Sequence, residues 1–405
     1  MHNNLPPICY ADSRNKKQQD DTMMDFTSSL YLGMKHSSKE LNDWQQLTTG
    51  VPAALGEADL ALQVGNYVAG MQGLEEGLTA PSTLHLYWDL FDYLCHQPVV
   101  LFIDEKVYPV SRYGIEKLLI RKVPVHPFRH FDADHVAELI RKNSTRSTTP
   151  VIVSDGWCPS CGRAAPLQQY AALVKPLKGA VIVDDTQAFG VLGTRKRNGK
   201  PYGQGGGGLL RWQSLQSDTI ITIVSLAKGL GVPMSVISST HQFIGSFARH
   251  SQTRVNSSPV SLAHLQAAMN AFRINRLEGD ERRSALWRNI SLLRSLLQRA
   301  GILVQGGIFP VQAIRCHSRQ QTIRLWEELK KRNIRSVLIT PHGEQQPALC
   351  LIVHSDHTPG DIRVLADAIK KHHFLFKQSD HVNTLTGNPY RTGSAQTIPG
   401  WKAGA

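Results

Sequence analysis

The 405-residue chain is 41% hydrophobic and 19% charged, a balance that excludes a disordered protein and leaves room for one large domain with a smaller one. No run approaches the roughly 20 apolar residues of a membrane helix, and residues 1–25 lack the apolar core of a secretory signal, so a cytoplasmic protein with no membrane partner is expected. Six cysteines are too few for a disulfide framework, and the net charge of +13 is scattered apart from short clusters at 195–200 and 330–335, with no aromatic-interleaved basic motif, which points to anionic cofactors or substrates rather than nucleic acid.

In chain order, residues 1–48 read as an N-terminal arm that closes with a helical stretch around 39–47. Short continuous apolar runs then alternate with helical patterns. Strands are predicted at 98–103, 122–126, 150–154, 180–184, 219–224 and 232–238, and helices at 111–120, 134–142 and 166–173. Continuous apolar runs suit strands buried on both faces, and strand–helix alternation predicts a mostly parallel sheet. Two long helices are predicted at 256–277 and 281–300. Strands at 311–314, 335–339 and 348–354, with helices at 319–332 and 358–372, complete a small C-terminal α+β domain. The domains expected are a large one over 49–255, connecting helices and the small one over 256–375, and a flexible polar tail over 376–405.

Two strand ends carry chemistry. Val224-Ser225-Leu226-Ala227-Lys228-Gly229 puts a lysine between small residues just past a strand. An amine held there on a fixed backbone and partly desolvated suits a covalent cofactor lysine, and the Ser225 hydroxyl can reach a phosphate. A plain turn lysine remains open on this segment alone. Val181-Ile182-Val183-Asp184 ends an apolar strand in a carboxylate, at the edge where such sheets place ligands. Asp184 reads either as a partner for a protonated ring nitrogen or as a helix cap.

Taken together, a strand-end Asp184 followed 44 residues later by Lys228 resembles the pyridoxal-phosphate (PLP) enzymes of fold type I, and more specifically the α-oxoamine synthases, the group that contains 8-amino-7-oxononanoate synthase and 2-amino-3-ketobutyrate CoA ligase. Segments 26–33, 155–167 and 247–259 fit the same group in the same order. The resemblance implies an aspartate-aminotransferase-like three-layer α/β domain plus a small α+β domain, PLP held by Lys228 as a Schiff base, and catalysis by Lys228 and Asp184. It implies a phosphate-binding turn at Ser82, Thr83 and Leu84 opening a helix (a plain N-cap is the alternative). Ser225 joins that turn, and Ser257 and Ser258 reach the phosphate from a partner subunit of a homodimer. Tyr108 stands where the family stacks a histidine on the cofactor ring, and a surface tyrosine is the alternative. Gln187 replaces the family's histidine three residues after the aspartate and can hydrogen-bond the cofactor but not titrate.

Three departures qualify that resemblance. Cys350 stands where the family places its substrate-carboxylate arginine; His354 and His357 are nearby but read as surface residues. Cys158-Pro159-Ser160-Cys161 is a CxxC with no second ligand pair in view, so it reads as two free thiols in a loop, and no metal is assigned. The basic, glycine-rich stretch 195–208 reads as a flexible loop. The function expected is a PLP-dependent transferase that condenses a small amine or amino acid with an acyl-CoA or acyl-carrier thioester. An aminotransferase and a catalytically degenerate binding or regulatory protein are the alternatives.

Overall fold

A computed structural model describes residues 23–196, 199–340, 346–372 and 375–376; apart from Phe376, the tail expected at 376–405 lies outside them. The elements are β1 (Met24–Asp25), α1 (Asp59–Gln72), β2 (Glu76–Ala80), α2 (Thr83–Cys95), β3 (Val99–Asp104), α3 (Pro109–Tyr113), α4 (Ile115–Ile120), β4 (Val125–Phe128), α5 (Ala133–Asn143), β5 (Thr149–Asp155), β6 (Trp157–Cys158), β7 (Arg163–Ala164), α6 (Leu167–Val174) and β8 (Ala180–Asp184). They continue with α7 (Gly208–Trp212), β9 (Ile220–Ser225), β10 (Ser235–Ser239), α8 (His241–His250), α9 (Gln252–Asn256), α10 (Leu262–Gln298), β11 (Val311–Ile314), α11 (Arg319–Lys331), β12 (Ile334–Arg335), β13 (Val337–Ile339), β14 (Ala348–Ile352) and α12 (Pro359–Lys370).

Seven strands form one sheet in the order β2-β10-β9-β8-β5-β3-β4. Pairings among β9, β8, β5, β3 and β4 are parallel, while β10 runs antiparallel to both β2 and β9. Alternate residues of the same strands enter two different cores. Val100, Phe102, Ile152, Val181 and Val224 pack with α1, α5, α6 and α10, whereas Leu101, Ile103, Val153, Ile182 and Ile223 pack with α2, α4 and α8. Period-two side-chain alternation thus gives the sheet two dry faces, and the layers are helix, sheet, helix. A smaller antiparallel sheet, β11-β14-β13, carries α11 and α12. We propose that the large domain spans 49–255 and the small one, with α10 as its connection, 256–375.

Several elements differ from expectation for local physical reasons. The helix expected at 39–47 is only a 3₁₀ turn, Ser38–Glu40. The helix expected at 111–120 breaks at Gly114, where a Cβ would stand 2.2 Å from the Phe91 ring. The two long helices are one, because Gly279 continues the helix and leaves room for the side chains of Asn275 and Arg283. The stretch at 195–208 is not a loose loop at its glycine end. Gly206, Gly207 and Gly208 are buried, and a Cβ on them would meet the Gly190 carbonyl, the Met71 carbonyl and the Asp185 carboxylate.

The N-terminal segment is tied in rather than draped. β1 pairs with β12, and Phe26, Tyr31 and Leu32 are in the core. His354 and His357 are likewise not surface residues. Their rings stack at 3.6 Å, Phe26 stacks on His357 at 4.1 Å, and each Nε2 lies against the Asp25 carbonyl. The His354 backbone N–H donates to Nδ1 of His357, which therefore binds as the neutral ring. Burial, then the nearby His354, pushes the His357 pKa down to about 4. An unfolded histidine takes up its proton near pH 6.5. The stabilisation is therefore whole above pH 6.5 and is lost as pH falls toward 4, on the order of 3 kcal/mol. Urea midpoints measured from pH 7 to 4.5 should fall more steeply for the wild type than for His357→Asn; equal slopes would refute the assignment.

Candidate active site

The C-terminal ends of β3, β5, β8 and β9 lie along one edge of the sheet and bring Asp104, Asp155, Asp184 and Ser225 to it. Asp155 and Asp184 are register partners across β5 and β8. Asp184 is almost wholly buried, accepts from the Thr186 N–H at 3.0 Å, and accepts from the Tyr87 hydroxyl at 3.2 Å. Two donors thus fix a carboxylate that would otherwise be free to turn. Burial, then the neighbouring Asp184 charge, holds the Asp155 carboxyl well above the usual carboxylate range, while the Tyr108 N–H donates to it at 3.1 Å.

Lys228 lies in the turn after β9. That turn is fixed by the Ser225 N–H donating to Thr186 Oγ1 and the Ala227 N–H donating to Ser225 Oγ. Gly229 is required there, because a Cβ would stand 2.4 Å from the Phe189 carbonyl. Burial lowers the Lys228 pKa below that of an ordinary lysine, and the carboxylates of Asp184 and Asp155 partly oppose it. Its ammonium lies 5.7 Å from the centre of the Tyr108 ring. Asp184, Lys228 and Tyr108 thus lie together at this edge, with the Tyr108 ring half-exposed.

The turn Ser82-Thr83-Leu84 begins α2 just past β2, at the same edge of the sheet. Ser82 sits at the N-cap but makes no side-chain cap bond; its hydroxyl engages His85 Nδ1 at 2.8 Å instead. The first-turn N–H groups thereby stay available to an anion. Gln187 accepts from the Tyr31 hydroxyl at 2.7 Å, which links the N-terminal segment to the site. Ser257 donates back to the Thr253 carbonyl at the end of α9, and Ser258 beside it is exposed. Cys350 is buried in the central strand of the small sheet, its thiol pushed up to about 12 by burial, with the charge of Arg315 acting in the opposite sense.

Sequence reasoning missed Tyr87 and Thr186. Thr186 follows Asp184 by two residues and could have been suspected as the cap of its turn. Nothing in the helical run 83–95 marks Tyr87, because only the packing of α2 on the sheet sets it beside Asp184.

These residues fit pyridoxal phosphate. A partly desolvated amine, a carboxylate for the ring nitrogen, an aromatic face and a helix start with spare N–H groups match its aldehyde, ring and phosphate. The fold and this edge define a PLP enzyme of fold type I. The aminotransferase class I and II family profile matches residues 108–369, well over half of the chain, and the chain belongs to that family of PLP-dependent transferases. Among curated proteins it is 27% identical over 376 residues to 8-amino-7-oxononanoate synthase 2 of Bacillus subtilis strain 168, covering 89% of this chain and 91% of that one. Among solved structures it is similar to serine palmitoyltransferase of Sphingomonas wittichii, with TM-score 0.75, 15% identity and coverage of 86% and 87%. It is also similar to 8-amino-7-oxononanoate synthase of Francisella tularensis, with TM-score 0.70, 19% identity and coverage of 87% and 98%.

Tyr108→Ala removes the aromatic face beside Lys228. A stacked ring is worth about 0.5–1.5 kcal/mol, so PLP should bind roughly 3–10-fold more weakly, as read by cofactor titration of the apoprotein. An unchanged affinity would return Tyr108 to the surface reading.

Proposed function

We propose that the chain condenses a small amine or amino acid with an acyl-CoA or acyl-carrier thioester, in the manner of the α-oxoamine synthases. The observation that carries this reading is the match, over about nine-tenths of both lengths, to a relative named 8-amino-7-oxononanoate synthase, with Lys228, Asp184 and Tyr108 brought together at one sheet edge. The cofactor, when bound, supplies an electron sink for the carbon that bears the substrate amine. Lys228, whose burial favours the neutral amine, takes and returns the proton at that carbon. Asp184, held by Tyr87 and Thr186, supplies a fixed negative charge opposite the ring nitrogen. Tyr108 covers the ring, and the start of α2 at Ser82, Thr83 and Leu84, with Ser225, holds the phosphate. Ser257 and Ser258 complete that cradle from the second subunit of a homodimer. Among the described residues no helix is long and apolar enough to cross a membrane, and we place the enzyme in the cytoplasm.

Cys350 cannot clamp a carboxylate as an arginine would. The buried, neutral His357 cannot replace it either. The substrate is therefore either an amine without an α-carboxylate or one held by another cation, for which Arg315 is the candidate nearest in effect to Cys350.

The test is a panel of amines and amino acids with acyl-CoA donors of graded length, followed by free-thiol release and product mass. Thiol release that requires both reactants, with a product carrying both, is expected. Amino transfer to an added oxo acid without thiol release would favour the aminotransferase reading. No response to any amine would favour a binding protein.

A further inference from the structure

Cys158 and Cys161 are both free thiols, as expected, but they are not alone in their loop. His130, two residues past β4, lies against it, with Nε2 at 3.4 Å from the Cys161 sulfur. The ligand atoms of His130, Cys158 and Cys161 all lie within 4.8 Å of one another. Zinc bonds of 2.0–2.1 Å to nitrogen and 2.3 Å to sulfur, at tetrahedral angles, place neighbouring nitrogen and sulfur ligands about 3.5 Å apart and neighbouring sulfurs about 3.8 Å apart. The observed cluster has that scale. His130 is also oriented as metal-binding histidines are. Its Nδ1 is held at 2.8 Å by the Asp104 carboxylate, which turns Nε2 toward the sulfurs. Asp104 is itself fixed, accepting from the N–H groups of Lys106 and Phe131.

The loop is shaped around sulfur. The Cys161 N–H points at Cys158 Sγ at 3.4 Å, the Gly162 N–H closes on the Cys158 carbonyl at 2.9 Å, and Gly162 takes a φ of +68°. A Cβ at Gly162 would meet the Gly306 backbone at 2.8 Å, so the turn is also packed in place. The sequence gives no sign of His130 as a ligand, because it lies 28 residues before Cys158 and reaches the loop only through the adjacency of β5, β3 and β4.

We propose that His130, Cys158 and Cys161 form a site for a divalent thiophilic cation of the zinc type, with Asp104 positioning His130 and the fourth coordination position open to water or a ligand. Three protein ligands with one open position form a recognised zinc arrangement, and the cation takes the place of the protons shared among these atoms. The site lies beside the cofactor edge. Asp155, three residues before Cys158, accepts from the Tyr108 N–H, so the cation also anchors the strand end on which Tyr108 rests.

The test uses the full chain, purified under reducing conditions without chelator and analysed for bound metal by mass spectrometry. The stripped protein is then titrated with zinc chloride against a chromophoric chelator. About one zinc per chain is expected. Cys158→Ser and Cys161→Ser should each lose it, with circular dichroism reporting whether they fold. Asp104→Asn should still saturate but bind about 10–100-fold more weakly. The titration of the wild type decides the matter even if a variant misfolds. A reduced wild-type chain that takes up no zinc, or a folded Cys161→Ser chain that binds it as the wild type does, would overturn the proposal. A Cys158–Cys161 disulfide whose reduced form still refuses zinc would also overturn it, in favour of a redox pair.

Discussion

The Lys228→Ala enzyme is expected to turn over at least about 10³-fold more slowly than the wild type while keeping its fold. Alanine fits the turn after β9, because the bonds that hold the turn come from Ser225 and Thr186 and not from the lysine side chain. What is lost is the amine whose pKa burial lowers and which stands beside Asp184, Asp155 and Tyr108 in the candidate site. A positioned acid–base group contributes about 10²–10⁴-fold, and loss of the covalent attachment adds to it. Single-turnover kinetics, with circular dichroism as the control for folding, check this. Partial rescue by a small primary amine would identify proton transfer as the missing step. A loss below tenfold would remove Lys228 from catalysis.

Asp184→Asn should lower kcat by about 10²–10³, the usual scale for removing one preorganised electrostatic partner. The side chain keeps its place, because the Thr186 N–H still has an oxygen to donate to. The charge disappears, and with it the largest interaction that raises the Lys228 pKa. The sign follows. Without Asp184 the lysine titrates at still lower pH, so the acidic limb of the rate, along which the amine becomes protonated and can no longer take the proton, should shift to lower pH in the variant. A merely structural aspartate would lower stability and leave that limb in place. Tyr87 is a useful companion position. Its hydroxyl donates to Asp184, and Tyr87→Phe should fall in the same direction by a smaller factor.

Most of the large domain was legible because its strands are buried on both faces. Runs such as 180–184 and 220–225 are apolar from end to end and stop at a polar residue, which marks both the strand and the edge where Asp184 and Ser225 sit. Lys228 was legible for the same reason, its position being fixed relative to a strand end. Elements whose limits depend on close packing were not legible. The gap left between the helices expected at 256–277 and 281–300 contains Gly279, where the continuous helix needs room for Asn275 and Arg283. Gly114 lay within a helical pattern and interrupts it against Phe91. The orientation of β10 was hidden because apolar content does not encode strand direction, and the burial of His354 and His357 depends on Phe26, more than three hundred residues earlier in the chain. The contacts that hold these residues in place, Tyr87 on Asp184 and Asp104 on His130, form only when helices and strands from distant parts of the chain pack together.

The most direct test of the central assignment is to load the protein with pyridoxal phosphate, reduce it with borohydride, digest it and locate the modified peptide by mass spectrometry. A single reduced phosphopyridoxyl adduct on Lys228, absent from the Lys228→Ala protein, is the result predicted. No adduct, or an adduct on another lysine with Lys228 unmodified, would contradict it.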